Sequence, residues 1–212
     1  MAHFMVYWPQ DRVEELKKAG DTGPIRVVFG SIHSRMPTIA SIKVGDVVFP
    51  VTLMKKQLYA LARLPVTHRE CAFDYCLREL GNPCGALTPK NIVVEYSGSF
   101  FWSWEQKSYR SLAEVPEDLR VVTLAEQVPK PHAKHQEPFN CCSQWAVWGE
   151  NGTSIEPRPV PEACIPMLRF GYPKSREKAL RLDKNGNILS SSLTATRRMS
   201  EETAEIFDSL FL

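Results

Sequence analysis

The chain lacks the features that mark membrane and secreted proteins. It contains no run of about 20 apolar residues, the length that a membrane-spanning helix needs. Its first residues do not follow the basic-then-apolar order of a signal peptide, because Pro9, Gln10 and Asp11 interrupt the apolar start. We therefore expect a cytoplasmic protein that does not bind membranes.

Neither sign of charge predominates. The 212 residues include 26 Lys and Arg against 24 Asp and Glu, which gives a formal net charge of +2. Non-specific binding to duplex nucleic acid usually depends on a large excess of positive charge, which this chain does not have. A local basic groove is still compatible with the composition.

Motifs of the common enzyme classes are also missing. The chain has no Gly-x-Ser-x-Gly nucleophile elbow, no phosphate-binding loop and no dinucleotide fingerprint. We therefore assign no catalytic residue and no cofactor, and an enzyme is the less favoured interpretation.

The six cysteines do not form a recognisable metal motif. In a cytoplasmic chain they should be thiols or metal ligands rather than disulfides. Two groups combine cysteines with histidines, the residue types that bind zinc. The first is His68, Cys71, Cys76 and Cys84, and the second is His132, His135, Cys141 and Cys142. The first departs from the usual spacing of zinc-binding cysteines, and adjacent cysteines as in the second seldom reach one ion together. We assign no metal site.

What the chain does contain is the composition of a globular protein, with 43% hydrophobic and 24% charged residues. Its length fits one large or two small domains. Eight of the 16 prolines lie in residues 129–173, which predicts an irregular, loop-rich region there. We therefore divide the chain into a core at residues 1–128 and a loop-rich extension at 129–212 packed on it, with a single domain as the alternative.

The segment from residue 42 to residue 66 predicts a β-hairpin. Val47 to Leu53 is rich in β-branched and aromatic residues, and Lys55-Lys56-Gln57 is a polar connection of hairpin length. Leu58 to Val66 is a second apolar run, for which a short buried helix is the alternative to a strand. Pro50 cannot donate a ladder hydrogen bond, so we expect an edge position or a bulge there.

Periodicity and turn residues predict the other elements. Further strands are predicted at residues 3–8, 25–29, 91–96, 119–124, 145–148 and 165–170. Helices are predicted before Gly20, over residues 68–80 with Thr67 as cap and Glu70 as capping-box partner, and after Ser200.

Two of these stretches carry a resemblance to a known superfamily. The order Lys43-Val-Gly-Asp46, an apolar strand, a polar turn and Leu58-Tyr-Ala-Leu-Ala-Arg63 resembles the core of PUA-like domains, which include the PUA, ASCH, EVE and related YTH domains. Phe4-Met-Val-Tyr-Trp8 followed by Asp11-Arg-Val13 resembles the opening of EVE domains. The resemblance spans residues 3 to 70 and implies an α+β fold, a small mixed β-barrel with a few flanking helices and a loop-rich C-terminal half.

The resemblance also implies a function. In PUA-like readers of nucleic acid, a modified, flipped or unpaired base stacks in an aromatic-lined pocket beside the barrel. Trp102 and Trp104 alternate on one face of an extended segment, and Trp145 and Trp148 form a second pair. We predict a ligand-binding site for RNA or DNA composed of Trp102, Trp104, Trp145, Trp148, Arg35 and Lys43. The alternative is that these rings belong to the core.

Other basic residues are candidates for phosphate contacts, with a solvated surface as the alternative. They are Arg26, Lys55, Lys56, Arg197 and Arg198.

Two other functions stay open. One is a protein-interaction module, such as an immunity or phage-associated factor, which would use the aromatic and proline-rich second half as its contact surface. The other is a small amidohydrolase of ASCH type acting on a nucleoside. Such enzymes use a Lys, a Thr and a Glu; Lys43 and Thr38 stand near the matching turn, but no acidic partner is identifiable.

Overall fold

The structure is a computed structural model that describes residues 1–18, 20–31, 39, 41–71, 75, 78, 92–94, 100–103, 108–111, 143–171, 177–193 and 196–212. Within these residues the protein is a mixed α+β fold built mainly from strands. None of the helices described there is long and apolar enough to cross a membrane.

Twelve strands and two α-helices are described. The strands are β1 (His3–Tyr7), β2 (Val27–Ser31), β3 (Val47–Met54), β4 (Gln57–Ala60), β5 (Leu64–Pro65), β6 (His68–Cys71), β7 (Ile92–Val94), β8 (Phe100–Ser103), β9 (Ser108–Ser111), β10 (Ser143–Trp148), β11 (Arg158–Pro159) and β12 (Arg197–Arg198). The α-helices are α1 (Gln10–Lys18) and α2 (Glu201–Ser209), and 3-10 helices lie at Glu162–Met167 and Ser190–Ser192.

The strands form three sheets. The largest has six strands in the order β11-β4-β3-β1-β12, with β5 also paired to β3. β1 pairs parallel with β3 and antiparallel with β12. A second sheet has the order β2-β10-β6, and a third the order β7-β8-β9. The predicted α+β class is confirmed, whereas the described strands form open sheets rather than a closed barrel.

Both faces of the six-stranded sheet are buried. Successive residues of a strand point to opposite sides, so β1 contributes side chains to two cores. Phe4 and Val6 of β1 face the first core, where α1 and the second sheet cover them. Met5, between them, faces the second core, which contains Phe207 of α2 together with Leu168 and Leu193. A strand buried on both faces needs a continuous apolar run, and β3 has one.

The predicted hairpin is confirmed. β3 and β4 are joined by a two-residue turn, with Met54 paired to Gln57. Lys55 and Lys56 have φ angles of 48° and 70°. Positive φ at both central residues is the signature of a type I′ turn, whose twist matches that of the two strands. The second apolar run forms β4 and β5 rather than a helix.

Pro50 lies in an interior strand, so the expected edge position or bulge is wrong. Its carbonyl accepts a hydrogen bond of 2.8 Å from Leu61 N, just where the β4 ladder ends. In a regular ladder the N–H of residue 50 would return a bond to the Leu61 carbonyl. That carbonyl accepts from Glu156 N instead, at 2.9 Å. An interior proline is tolerated here because another donor serves its partner.

Most of the other predicted elements that fall on described residues are confirmed, including α2 with its Ser200 cap, which accepts from Thr203 N. Residues 68–71 are an exception, because they form β6 and not a helix. Pairing with β10 satisfies their backbone groups, and Thr67 Oγ1 donates to the Trp148 carbonyl rather than capping a helix. The strand predicted at residues 165–170 is also wrong, since residues 165–167 belong to a 3-10 helix and Phe170 forms only isolated bridges.

Some predictions fall outside the described residues. These are the strand at residues 119–124 and the boundary between residues 128 and 129. Strands on the two sides of that boundary are paired, since β10, β11 and β12 join β2, β4 and β1 respectively.

The Gly45-Asp46 turn holds the start of β3 in place. Gly45 has φ of +91°, a conformation that glycine adopts without strain. The buried carboxylate of Asp46 accepts hydrogen bonds from the backbone N–H groups of Ala2, at 2.7 Å, and Lys43, at 2.9 Å. One carboxylate therefore fixes the turn and the segment that leads into β1.

We expect Asp46→Asn to lower the free energy of unfolding by about 1–3 kcal/mol, because the amide nitrogen cannot accept one of these two bonds and leaves a donor unpaired. Chemical denaturation of the variant and the wild type measures the difference. Glu177→Gln is the matched control, since Glu177 is exposed. Equal stabilities of all three proteins would contradict the role given to Asp46.

The type I′ turn gives a second prediction. Lys56→Gly should raise the free energy of unfolding by about 0.5–1 kcal/mol, since the left-handed conformation costs a non-glycine residue about 1–2 kcal/mol and the entropy lost by glycine offsets part of the gain. Lys56→Ala keeps the Cβ while removing the same charge and should give no such gain. Stabilisation of equal size in both variants would show that charge, and not backbone conformation, is responsible.

Candidate functional site

Five side chains with aromatic or charged groups meet where β6 pairs with β10. The Trp148 cluster, as we name it, consists of His68, Glu70, Tyr75, Arg78 and Trp148. His68 stands directly opposite Trp148, and Glu70 opposite Ala146. Because directly paired residues share one face of a sheet, His68, Glu70 and Trp148 lie on the same side.

The His68 and Trp148 rings form a parallel stack. Their centroids are 3.9 Å apart and their planes differ by 8°. Thr67 Oγ1 lies 2.8 Å from His68 Nδ1, and the hydrogen bond between them holds the imidazole in orientation. His68 is exposed and Trp148 is half-buried, so the imidazole is the solvent-facing member of the stack.

Arg78 and Tyr75 also contact Trp148. The Arg78 guanidinium carbon lies 5.0 Å from the Trp148 ring centroid and 5.4 Å from that of Tyr75, distances at which a cation is attracted to a ring. The Tyr75 ring is 5.8 Å from the Trp148 ring. Trp148 is therefore in contact with three side chains of different chemistry.

Glu70 connects the cationic and aromatic members of the cluster. Its two carboxylate oxygens accept from the two terminal nitrogens of Arg78, both at 2.8 Å. Trp148 Nε1 donates to the same carboxylate. The bidentate pair fixes the guanidinium plane, and it neutralises the charge of Arg78 inside the cluster.

Tyr75 anchors the cluster to the second sheet. Its ring is buried and meets Phe29 of β2 edge-to-face, with centroids 5.8 Å apart. Such pairs contribute about 0.5–1.5 kcal/mol beyond the burial of area. The rings that contact Trp148 thus continue into packed core, which gives the stack a rigid base.

Gly149 lets the chain leave β10 directly after Trp148. Its N–H donates to the Arg26 carbonyl at 3.0 Å. A Cβ at this position would overlap the Pro65 carbonyl oxygen, so a larger residue would push β10 away from its neighbours.

The two predicted tryptophans of β10 lie on opposite faces of the second sheet. Trp145 packs against the first core, with the Arg69 guanidinium carbon 4.4 Å from its ring centroid. Residues three apart in a strand point in opposite directions, so Trp145 and Trp148 do not line one pocket. The packing of Trp145 against the first core agrees with the alternative interpretation, in which the ring belongs to the core.

The described contacts of the Trp148 cluster include none of the other predicted ligand-binding residues. Trp102 pairs through its backbone with Val93 and Tyr109, while Trp104 and Arg35 lie outside the described residues. Lys43 is exposed in the turn before β3. A lysine buried beside a carboxylate would favour the amidohydrolase hypothesis. Lys43 is exposed, and Thr38 lies outside the described residues.

The cluster contains residues that sequence reasoning missed. The sequence indicates His68 only as a candidate metal ligand and Glu70 only as a capping-box partner. Their spacing of two residues is the signal that was available, since it puts both side chains on one face of a strand. Among the described residues no group of three potential ligands is placed to hold a metal ion. Cys76, Cys84 and the second Cys/His group lie outside them.

A pocket of about 310 Å³ lies elsewhere, beside the turn between β3 and β4. Buried Leu58, Val160 and Ile188 form its apolar part, and Lys56 and Glu162 are among its polar lining residues. It contains none of the predicted ligand-binding residues.

Comparison of the chain with protein-family models and with curated proteins gives no match in either case. The PUA-like relationship therefore stays a prediction.

The geometry predicts that Glu70 sets the environment of Trp148. We expect Glu70→Ala to shift tryptophan emission and to lower the free energy of unfolding by about 0.5–1.5 kcal/mol, because Trp148 Nε1 and the exposed Arg78 lose their acceptor. The spectral change should vanish when the same substitution is made in a Trp148→Phe background. Glu150→Ala, at an exposed position after β10, is the control. A shift that persists without Trp148 would rule out this assignment.

Proposed function

We propose that the protein binds single-stranded nucleic acid by stacking an unpaired base on the exposed His68 ring. The base would extend the stack that His68 and Trp148 already form. The observation that carries the proposal is this parallel pair of rings, 3.9 Å apart with its imidazole exposed. A modified or flipped base can use the same ring surface.

The energetics of stacking favour such a site. Base–aromatic stacking is worth about 1–3 kcal/mol per base and tolerates any base, because every base has a π-face. A ring that is already held in orientation loses little freedom when the ligand binds. Thr67 and Trp148 hold the imidazole in this way.

The charges of the cluster bear on the dependence of binding on salt. Arg78 is paired with Glu70, so its guanidinium offers little attraction to phosphate. For single strands the salt dependence of binding has a slope of about −0.7 per phosphate neutralised. We therefore expect the logarithm of the binding constant to fall only slightly as the logarithm of the salt concentration rises. A small decrease would mean that few phosphates are contacted and that most of the binding free energy comes from the base.

A PUA-like barrel is part of the same proposal. Its support is the order of the Gly45-Asp46 turn, the β3 strand and the hairpin to β4, together with the aromatic β1 that leads into α1. The cytoplasmic location is proposed from the sequence alone.

Fluorescence anisotropy with labelled single-stranded RNA and DNA oligonucleotides tests the proposal. We expect saturable binding by the wild type, and weaker binding by His68→Ala by a factor of about 5 to 150, the equivalent of one stacked base. His68→Phe keeps an aromatic ring and should restore most of the affinity. Lys43→Ala, an exposed cation away from the cluster, is the control, and the duplex of the same sequence should bind more weakly than the single strand.

The outcomes separate clearly. Absence of binding by the wild type to any single strand would reject the function. Binding that His68→Ala leaves unchanged would reject His68 as the stacking residue, and if Lys43→Ala weakened it instead, the ligand would be held by the turn before β3.

A further inference from the structure

The pocket beside the turn between β3 and β4 reaches the edge of the second core. Its volume of about 310 Å³ is near the lower end of the range for small-molecule sites. Leu58 of β4, Val160, which follows β11, and Ile188 line it, and all three are buried members of the second core. A cavity of this size with an aliphatic inner lining fits a small branched aliphatic group.

Apolar side chains continue from the buried lining to the rim of the pocket. Leu182 lines the pocket while 40% of its surface is exposed, and Ile165 and Pro166 line it from the 3-10 helix. An apolar group that enters the pocket removes part of this surface from water, together with its own. The hydrophobic effect therefore favours an apolar ligand over the water it displaces.

The loop between Leu182 and Ile188 is a fixed wall of the pocket. These two residues form an antiparallel bridge, which closes the loop at its base. Inside the loop the Asp183 carboxylate accepts hydrogen bonds from the backbone N–H groups of Asn185, at 2.8 Å, and Asn187, at 2.9 Å. It also accepts one of 2.9 Å from Asn187 Nδ2. The wall is held in shape without a ligand, so binding costs little ordering of this loop.

The polar part of the lining carries one charge of each sign among the residues that the structure describes there. Lys56 belongs to the turn between β3 and β4, and Glu162 begins the 3-10 helix; both are exposed. A ligand with only a carboxylate would be attracted by Lys56 and repelled by Glu162, and one with only an ammonium group would meet the reverse. A zwitterion matches both charges.

We propose that this pocket binds a free α-amino acid with a branched aliphatic side chain, such as leucine. The side chain lies against the three buried aliphatic residues, the carboxylate pairs with Lys56 and the ammonium group pairs with Glu162. No member of the Trp148 cluster is in the described lining of the pocket. The amino-acid site does not depend on the proposed base stacking, so either one can fail without the other.

Isothermal titration calorimetry of the full chain tests the proposal with leucine and with three probes that each lack one part of it. Glycine lacks the side chain, isocaproate lacks the ammonium group and isopentylamine lacks the carboxylate. We expect saturable binding of leucine, and binding of glycine that is weaker by a factor of about 10 to 150, the loss of one buried aliphatic side chain. Isocaproate and isopentylamine should bind about 2- to 5-fold more weakly than leucine, since exposed ion pairs contribute little.

Two variants of neighbouring lysines test the assigned partner of the carboxylate. Lys56→Gln removes an ammonium group that lines the pocket, whereas Lys55→Gln, the control, removes one of the same turn that does not. We expect Lys56→Gln to bind leucine no more tightly than isopentylamine, and Lys55→Gln to keep the preference of the wild type for leucine. Glu162→Gln should in the same way remove the preference for leucine over isocaproate. All three positions are exposed, so the variants should fold.

Absence of saturable leucine binding up to about 10 mM would overturn the proposal. So would equal affinities for leucine and glycine, because the apolar lining would then contribute nothing. Equal leucine affinities of Lys56→Gln and Lys55→Gln would contradict the pairing of the carboxylate with Lys56. Leucinamide separates a free amino acid from the first residue of a peptide: weaker binding than leucine supports the proposal, and equal or tighter binding replaces it with a peptide N-terminus.

Discussion

The parallel pairing of β1 with β3 is the constraint on which the rest of the structure depends. These two strands are buried on both faces, and each core is built on one of those faces. Asp46 fixes their relative position through Ala2. Asp208 then holds α2 over the sheet, because its carboxylate accepts a hydrogen bond from Arg63 Nε at 2.6 Å. The same carboxylate lies 3.1 Å from His3 Nε2, close enough for an ion pair but not aligned for a hydrogen bond.

The Trp148 cluster depends on this arrangement indirectly. The first core places the second sheet, and within that sheet β6 lies beside β10. The stack of His68 on Trp148 is a cross-strand pair, so it exists only while those two strands are in this register. The Arg197 side chain lies on the other side of the six-stranded sheet, toward the second core.

Sequence reasoning succeeded where the determinants are local. The Lys55-Lys56 turn, the Ser200 cap and the apolar spacing of α1 are each set by a few neighbouring residues. It failed where a distant partner decides. Thr67 and Glu70 form a plausible capping box, but β10 supplies backbone partners for β6, and Glu70 bonds to Arg78 and Trp148. Of the candidate site only Trp148 was predicted, because His68 becomes its stacking partner through a pairing that spacing alone does not show.

The position of β12 has a consequence for the synthesis of the protein. Phe4 pairs with Arg198, so β1, which is synthesised early, cannot complete its pairing until β12 has been synthesised. Contacts so far apart in sequence are slow to form, because a long loop must close first. Until β12 emerges from the ribosome, β1 has one unpaired edge of apolar residues, the kind of surface that recruits other strands. The nascent chain therefore carries this unpaired edge until β12 is made, and slower translation of the intervening residues would prolong that interval.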